Sequence, residues 1–265
     1  MKKREPEKGK SVIYYHRAYR KLPAKSKAGY LTEFFLLFFF FVAVIFHIFP
    51  RATELTSYFS KYILSFVMPP NTLAIMKKGF LSRDFYMISR IGRFPSPLFL
   101  LVSIQVTLAV AFIFTQLKSI PKSLGIWMLY VCIINIISCL FFLYMPDRFP
   151  YNIEIFSELY MKTQVTIWFF ISIVIPLALA PFRTGILTKG VIITSMLLYS
   201  IVFGCLRYIV FFYILTRYSY VFMAVLFFAL GPLIDFVYII GLYSFSISFL
   251  SVKMKRDLIK WKWSY

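Results

Sequence analysis

Apolar residues in this chain come in blocks rather than stripes. "EFFLLFFFFVAVIF", beginning at Glu33, has neither the alternation of a strand nor a polar face at helical spacing, and further blocks of the same character follow it. A helix of about twenty residues, rising 1.5 Å per residue, crosses a hydrocarbon core about 30 Å thick. A membrane barrel strand instead alternates every second residue over roughly ten positions. The pattern therefore predicts an all-α polytopic transmembrane helix bundle, with spans at 34–49, 97–117, 124–145, 164–182, 191–216 and 220–250. The last block is long enough to tilt, and Gly231 and Pro232 within it predict a kink.

One segment decides the parity. Residues 57–76, "SYFSKYILSFVMPPNTLAIM", have the length of a span but contain Lys61 and a Pro-Pro pair. If the segment is interfacial there are six spans, and residues 50–96 form an extracytoplasmic amphipathic or re-entrant helix followed by a basic connection. If it crosses there are seven. The Lys and Arg excess on the inner side is nearly the same either way, so the positive-inside rule does not choose. Six is favoured because "VKMKRDLIKWKWSY", basic and carrying two tryptophans, reads as a cytoplasmic end anchored at the interface, with the N-terminus on the same side. The first block lacks the small-residue cleavage pattern of a signal peptide and reads as a retained span. The expected organisation is a basic tail over 1–30, disordered or interfacial, a membrane domain over 31–250 and a second basic tail over 251–265.

Composition agrees with a multi-pass membrane protein: of 265 residues 60% are hydrophobic and only 15% charged, against about a quarter charged in soluble domains. The net charge of +20 would point to nucleic acid on a soluble domain. Here much of the excess sits in the tails and short loops, where it orients the chain and attracts anionic lipid at about 1 kcal/mol per residue. Lys2, Lys3, Arg4, Arg17, Arg20, Lys21, Lys253, Lys255, Arg256, Lys260 and Lys262 are the expected headgroup contacts. The expected partners are the bilayer, its anionic lipids and other membrane proteins, with no nucleic acid, cofactor or metal. Cys132, Cys139 and Cys205 lie inside apolar blocks, without the spacing of a zinc site or a disulfide framework.

Charge at membrane depth is costly and marks a functional hypothesis. Arg207 and Asp235 qualify, on consecutive spans joined by a short turn. Counted along straight helices from a tip near Tyr218 they are offset by roughly 9 Å, which leaves an ion pair, snorkelling of Arg207 and contact with another element all open. A pair would be either an interhelical clamp or an ion-responsive site. Gln105, Thr107, Asn135, Ser138, Thr194 and Ser195 are candidates for a polar lining, though such residues also serve as ordinary membrane-helix glue. Glu154 and Glu158, four apart, read as a solvated or interfacial face. Cys205 lacks a catalytic base, since His16 and His47 are the only histidines. P-loop, HExxH and GxSxG motifs are absent.

Two family resemblances bear on function. "PPNTLAIMKKGF", then "FPSPLFLLVSIQVTLAVAFIF" and four more spans ending in "YSYVFMAVLFFALGPLIDFVYIIGLYSF" resemble the Yip-domain proteins over about residues 69–250. That resemblance implies a membrane-organising role without catalysis, and the additional first span departs from it. "GCLRY" is similar to the cysteine-bearing helix of exosortase and archaeosortase transpeptidases, which would make Cys205 a nucleophile. The further Arg or His that this family needs is missing between Tyr218 and Leu250. The leading expectation is a non-enzymatic subunit or scaffold of a membrane complex, motivated by how few polar groups the bundle interior is expected to hold. A small transporter or permease subunit using Arg207 and Asp235 is the alternative, and an exosortase-like enzyme using Cys205 the third reading.

Overall fold

The computed structural model describes residues 20–21, 27–69, 72–116, 121–182, 184–255 and 262–263. Its elements in chain order are β1 (Arg20–Lys21), α1 (Lys27–Ser65), β2 (Ala74–Phe80), β3 (Arg83–Ser89), α2 (Pro97–Gln116), α3 (Lys122–Tyr144), α4 (Ile153–Leu179), α5 (Ile186–Arg217), α6 (Pro232–Lys255) and β4 (Lys262–Trp263). Six helical segments are long and apolar enough to cross a membrane: Gly29–Ser65, Pro97–Gln116, Lys122–Tyr144, Ile153–Leu179, Ile186–Arg217 and Tyr220–Leu250. The protein is an all-α multi-pass bundle.

An even number of spans returns both ends of the chain to one side. There β1 pairs antiparallel with β4, Arg20 opposite Trp263 and Lys21 opposite Lys262. Of the expected headgroup contacts, Arg20, Lys21 and Lys262 lie in this strand pair, and Lys253 and Lys255 in the end of α6. Lys2, Lys3, Arg4, Arg17, Arg256 and Lys260 lie outside the described residues.

Residues 57–76 form no separate helix. α1 runs on through Pro50 to Ser65, and the chain then forms an antiparallel hairpin, β2 with β3, in the register Ala74 to Ser89 through Phe80 to Arg83. The two turn residues, Leu81 and Ser82, both have positive φ (50° and 61°), as a two-residue type I′ turn demands. Such turns usually carry Asn-Gly, so Leu-Ser hides the hairpin from sequence reading. A lone hairpin is marginal in water; this one is held because Phe85, Met87 and Ile88 are fully buried and β3 packs on α1 and α4. Its backbone is tied down as well. Tyr86 N donates to Thr53 Oγ1 of α1 (3.3 Å), and Ile88 N donates to Tyr208 Oη of α5 (2.9 Å).

α2 and α3 form a separate antiparallel pair. Asn135 Nδ2 donates to Thr107 Oγ1 (2.7 Å) and Ser103 Oγ (3.3 Å), and Cys139 Sγ lies 3.5 Å from Ser103 Oγ. The pair joins the remaining helices through an aromatic cluster in which Phe94 and Phe149 contact both Phe142 and Tyr220.

The sixth span is not one helix. It opens with a 3₁₀ turn at Tyr220–Phe222, continues through a π turn at Val225–Ala229, breaks at Leu230 and Gly231, and becomes regular only from Pro232. Proline suits a first helical position because its missing N–H has no partner there anyway. Gly231 is needed at the break, since a Cβ would collide with the Phe227 carbonyl.

Candidate functional site

The broken span brings Arg207 and Asp235 together. Two straight helices would leave them about 9 Å apart along the axis, but π and 3₁₀ turns do not rise as an α-helix does. Arg207 Nη2 donates to Asp235 Oδ2 at 2.7 Å, and both side chains are buried, at 6% and 1% exposure. Snorkelling is not what the guanidinium does.

The other donors of Arg207 are used too. Nε donates to Tyr160 Oη on α4 (3.0 Å), and Nη1 to the carbonyls of Gly231 (2.9 Å) and Leu230 (3.4 Å) at the break in the sixth span. Tyr160 Oη in turn donates to Gly204 O on α5 (2.8 Å). Gln164 Nε2 reaches the same carboxylate oxygen as Arg207, at 3.4 Å. The approach of Gln164 to α5 requires glycine at 204, because a Cβ there would collide with its amide oxygen. The rings of Tyr160, Phe203 and Phe211 lie 5.5 to 5.9 Å from the guanidinium carbon, within the range of cation–π attraction. Asp235 also stands in the first turn of α6, where the helix dipole favours a negative charge. One hydrogen-bonded cluster thus binds α4, α5, α6 and the break before α6.

Expectations of a nearly apolar interior are therefore corrected: Tyr160 and Gln164 join the charged pair, and Ser200 Oγ and Tyr238 Oη lie 2.6 Å apart across α5 and α6. Gln105, Thr194 and Ser195, expected as lining, face outward on their helices. They point away from the interior because helical periodicity puts Thr107, Ile193 and Met196 on the buried faces instead. Asn135 is buried, but in the α2–α3 pair rather than beside Arg207. Cys205 looks toward α1, its Sγ 3.9 Å from Ser60 Oγ. Two residues separate it from Arg207, about 200° around a helix, so it faces away from the guanidinium.

A second buried ion pair went unforeseen. Lys189 Nζ lies 3.0 Å from Glu33 Oε1 and donates to Ala180 O at 3.3 Å, with Lys189 fully buried. Both residues sit near ends of apolar blocks, where charge is usually solvated, so nothing in the sequence marks them as partners. Lys189 and Arg207 are eighteen residues apart on α5, about 27 Å along the helix axis. A hydrocarbon core of about 30 Å centred between the two pairs places each near a boundary.

Glu154 and Glu158 are not simply solvated. Lys78 of β2 lies 3.0 Å from Glu154 and 3.8 Å from Glu158, and Lys162 lies 2.6 Å from Glu158. On the hairpin, the hydrogen bond to Glu154 holds the Lys78 ammonium above the usual lysine range, and the hydrogen bond to Asp84 does the same for Lys77.

Asp235 keeps one oxygen, Oδ1, without a hydrogen-bond partner among the described residues. Asp235 borders a groove of about 330 Å³ between α4 and α6, whose walls include Leu159, Ile167, Phe170 and Phe236 with Lys162 and Thr166 as polar members. Chemically, this carboxylate has one oxygen held by Arg207 and one, buried, that can still accept a hydrogen bond. Among the described residues no three His, Cys, Asp or Glu side chains are grouped to hold a metal ion. Comparison with protein-family models, with curated protein sequences and with solved structures gives no match.

Proposed function

We propose that this protein is a membrane-embedded subunit or scaffold, acting by packing against other membrane proteins and lipid, with its N-terminus on the cytoplasmic side. The observation that carries the reading is the engagement of Arg207: Nε, Nη1 and Nη2 all donate to acceptors within the bundle. A cation held from three sides serves as a clamp, because releasing it to a substrate would strand buried acceptors at about 1–3 kcal/mol each. The Yip-domain resemblance, with its implied non-catalytic role, agrees with this reading. The exosortase resemblance gains no support from Cys205, which is turned toward Ser60.

The test is purification in mild detergent of the wild type and of Asp235→Asn, a variant that keeps the shape of the side chain. A second membrane protein at fixed stoichiometry with both forms is the expected result. A chain that purifies alone, and that in sealed vesicles moves an ion or solute only while Asp235 is intact, overturns it. For orientation, Ile91→Cys, at a position 93% exposed beyond the hairpin, is expected to react with an impermeant thiol reagent from the extracytoplasmic side.

One observation favours a second reading, a transporter or ligand-binding subunit: Asp235, whose buried Oδ1 has no hydrogen-bond partner among the described residues, borders the apolar groove. On that reading the ligand is amphipathic, with an apolar body along Phe170 and Phe236 and a hydrogen-bond donor at Asp235.

A further inference from the structure

Three arginines converge on one small cavity on the side of the protein away from the two tails. Arg90 and Arg93 follow β3, and Arg217 ends α5; with Pro69 and Thr216 they line a space of about 130 Å³. Unlike the groove beside Asp235, this cavity is lined mainly by polar surface.

The local fold fixes the backbone that carries two of the arginines. Tyr220 N donates to Arg93 O (3.2 Å), and Gly92 N donates to Tyr220 Oη (3.2 Å). Gly92 must be glycine for this contact, since a Cβ would stand 2.6 Å from the tyrosine ring. The loop that carries Arg90 and Arg93 is thereby pinned against the turn that follows Arg217. Thr216 spends its hydroxyl on the Phe212 carbonyl (2.8 Å), so the three guanidinium groups are the charged donors left to the space.

None of the three arginines forms an ion pair among the described residues, although Lys77, Lys78, Lys162, Lys189 and Arg207 all do. Like charges gathered at a shared space repel one another. An anion between them removes that cost, and the planar fork of arginine fits the oxygens of a phosphate bidentately. Arg217 lies ten residues beyond Arg207 on α5, about 15 Å further along the axis, which carries it out of the apolar core toward headgroups and water.

We propose that Arg90, Arg93 and Arg217 form a binding site for a phosphate group, presented by a lipid headgroup or by a soluble phosphate. The site is separate from the basic tails, which lie at the opposite ends of the spans.

The test uses the full chain in nanodiscs, with the charges of 251–265 neutralised in every sample so that the C-terminal tail does not contribute. One arm compares phosphatidylcholine discs with discs that include phosphatidylglycerol, reading retained anionic lipid by native mass spectrometry. The other adds inorganic phosphate to phosphatidylcholine discs and reads thermal stability. The expected result is retained lipid, a rise in Tm with phosphate, or both, weakened about tenfold for each arginine replaced by glutamine. Lipid retention alone identifies the headgroup as the source, and a phosphate response alone a soluble one. If the triple Arg90→Gln, Arg93→Gln, Arg217→Gln variant does not fold, the single variants at the exposed positions 93 and 217 carry the test. No response in either arm, or an equal response in the variants, overturns the proposal.

Discussion

α5 carries two buried cations, and the bundle treats them differently. Lys189 reaches Glu33 of α1 and the Ala180 carbonyl at the end of α4. Arg207, about 27 Å away along the same helix, binds a carboxylate, a phenol and two carbonyls drawn from α4, α6 and the break before α6. The difference follows from the side chains. An ammonium is a compact point charge, whereas a guanidinium is a fixed fork that can hold several elements in register. It also follows from the backbone, since the Arg207–Asp235 pair lies beside a broken helix whose loosened carbonyls need donors. The first pair fastens two helix ends, and the second organises an irregular span.

The largest effect should come from cutting the second. Arg207→Met leaves Asp235 buried and uncompensated, at a cost of about 3–5 kcal/mol, read as a loss of thermal or denaturant stability in detergent. Lys189→Met should cost less, about 1–3 kcal/mol, because Glu33 retains 8% exposure near a helix end and can regain water. An equal loss for the two would erase the distinction.

The α2–α3 pair supplies a weaker reference. Asn135→Leu removes hydrogen bonds to Thr107 and Ser103, and interhelical hydrogen bonds of this kind average about 0.6 kcal/mol in membranes. The loss should stay near that figure and leave the Arg207 cluster untouched. A gain rather than a loss, of a few tenths of a kcal/mol, is expected at the hairpin: Leu81→Asn with Ser82→Gly supplies residues that accept positive φ. No gain would mean that the turn conformation is different.

Much of this was readable from the chain, and the failures have particular causes. Uninterrupted apolar blocks revealed six spans, Gly231 and Pro232 announced the break, and Arg207 and Asp235 stood out as charges inside those blocks. Their pairing was hidden because a straight helix was assumed through Val225–Ala229, where the backbone forms a π turn. Tyr160 was missed because α4 begins at Ile153, eleven residues before the apolar block used to mark it, and Gln164 because it stood as the first residue of that block, where a polar group reads as an end. Gln105, Thr194 and Ser195 lie on exposed faces, which a block that is apolar nearly all round does little to announce. The hairpin escaped because Leu81 and Ser82 are not the residues a tight turn normally uses.

The central claim is that Arg207 and Asp235 act as one structural unit. A double-mutant cycle in detergent tests it most directly, comparing Arg207→Met, Asp235→Leu and the double variant. If the pair is a clamp, the double variant recovers more than half of the loss seen in either single variant, because no buried charge is left without its partner. Losses that simply add would contradict the account.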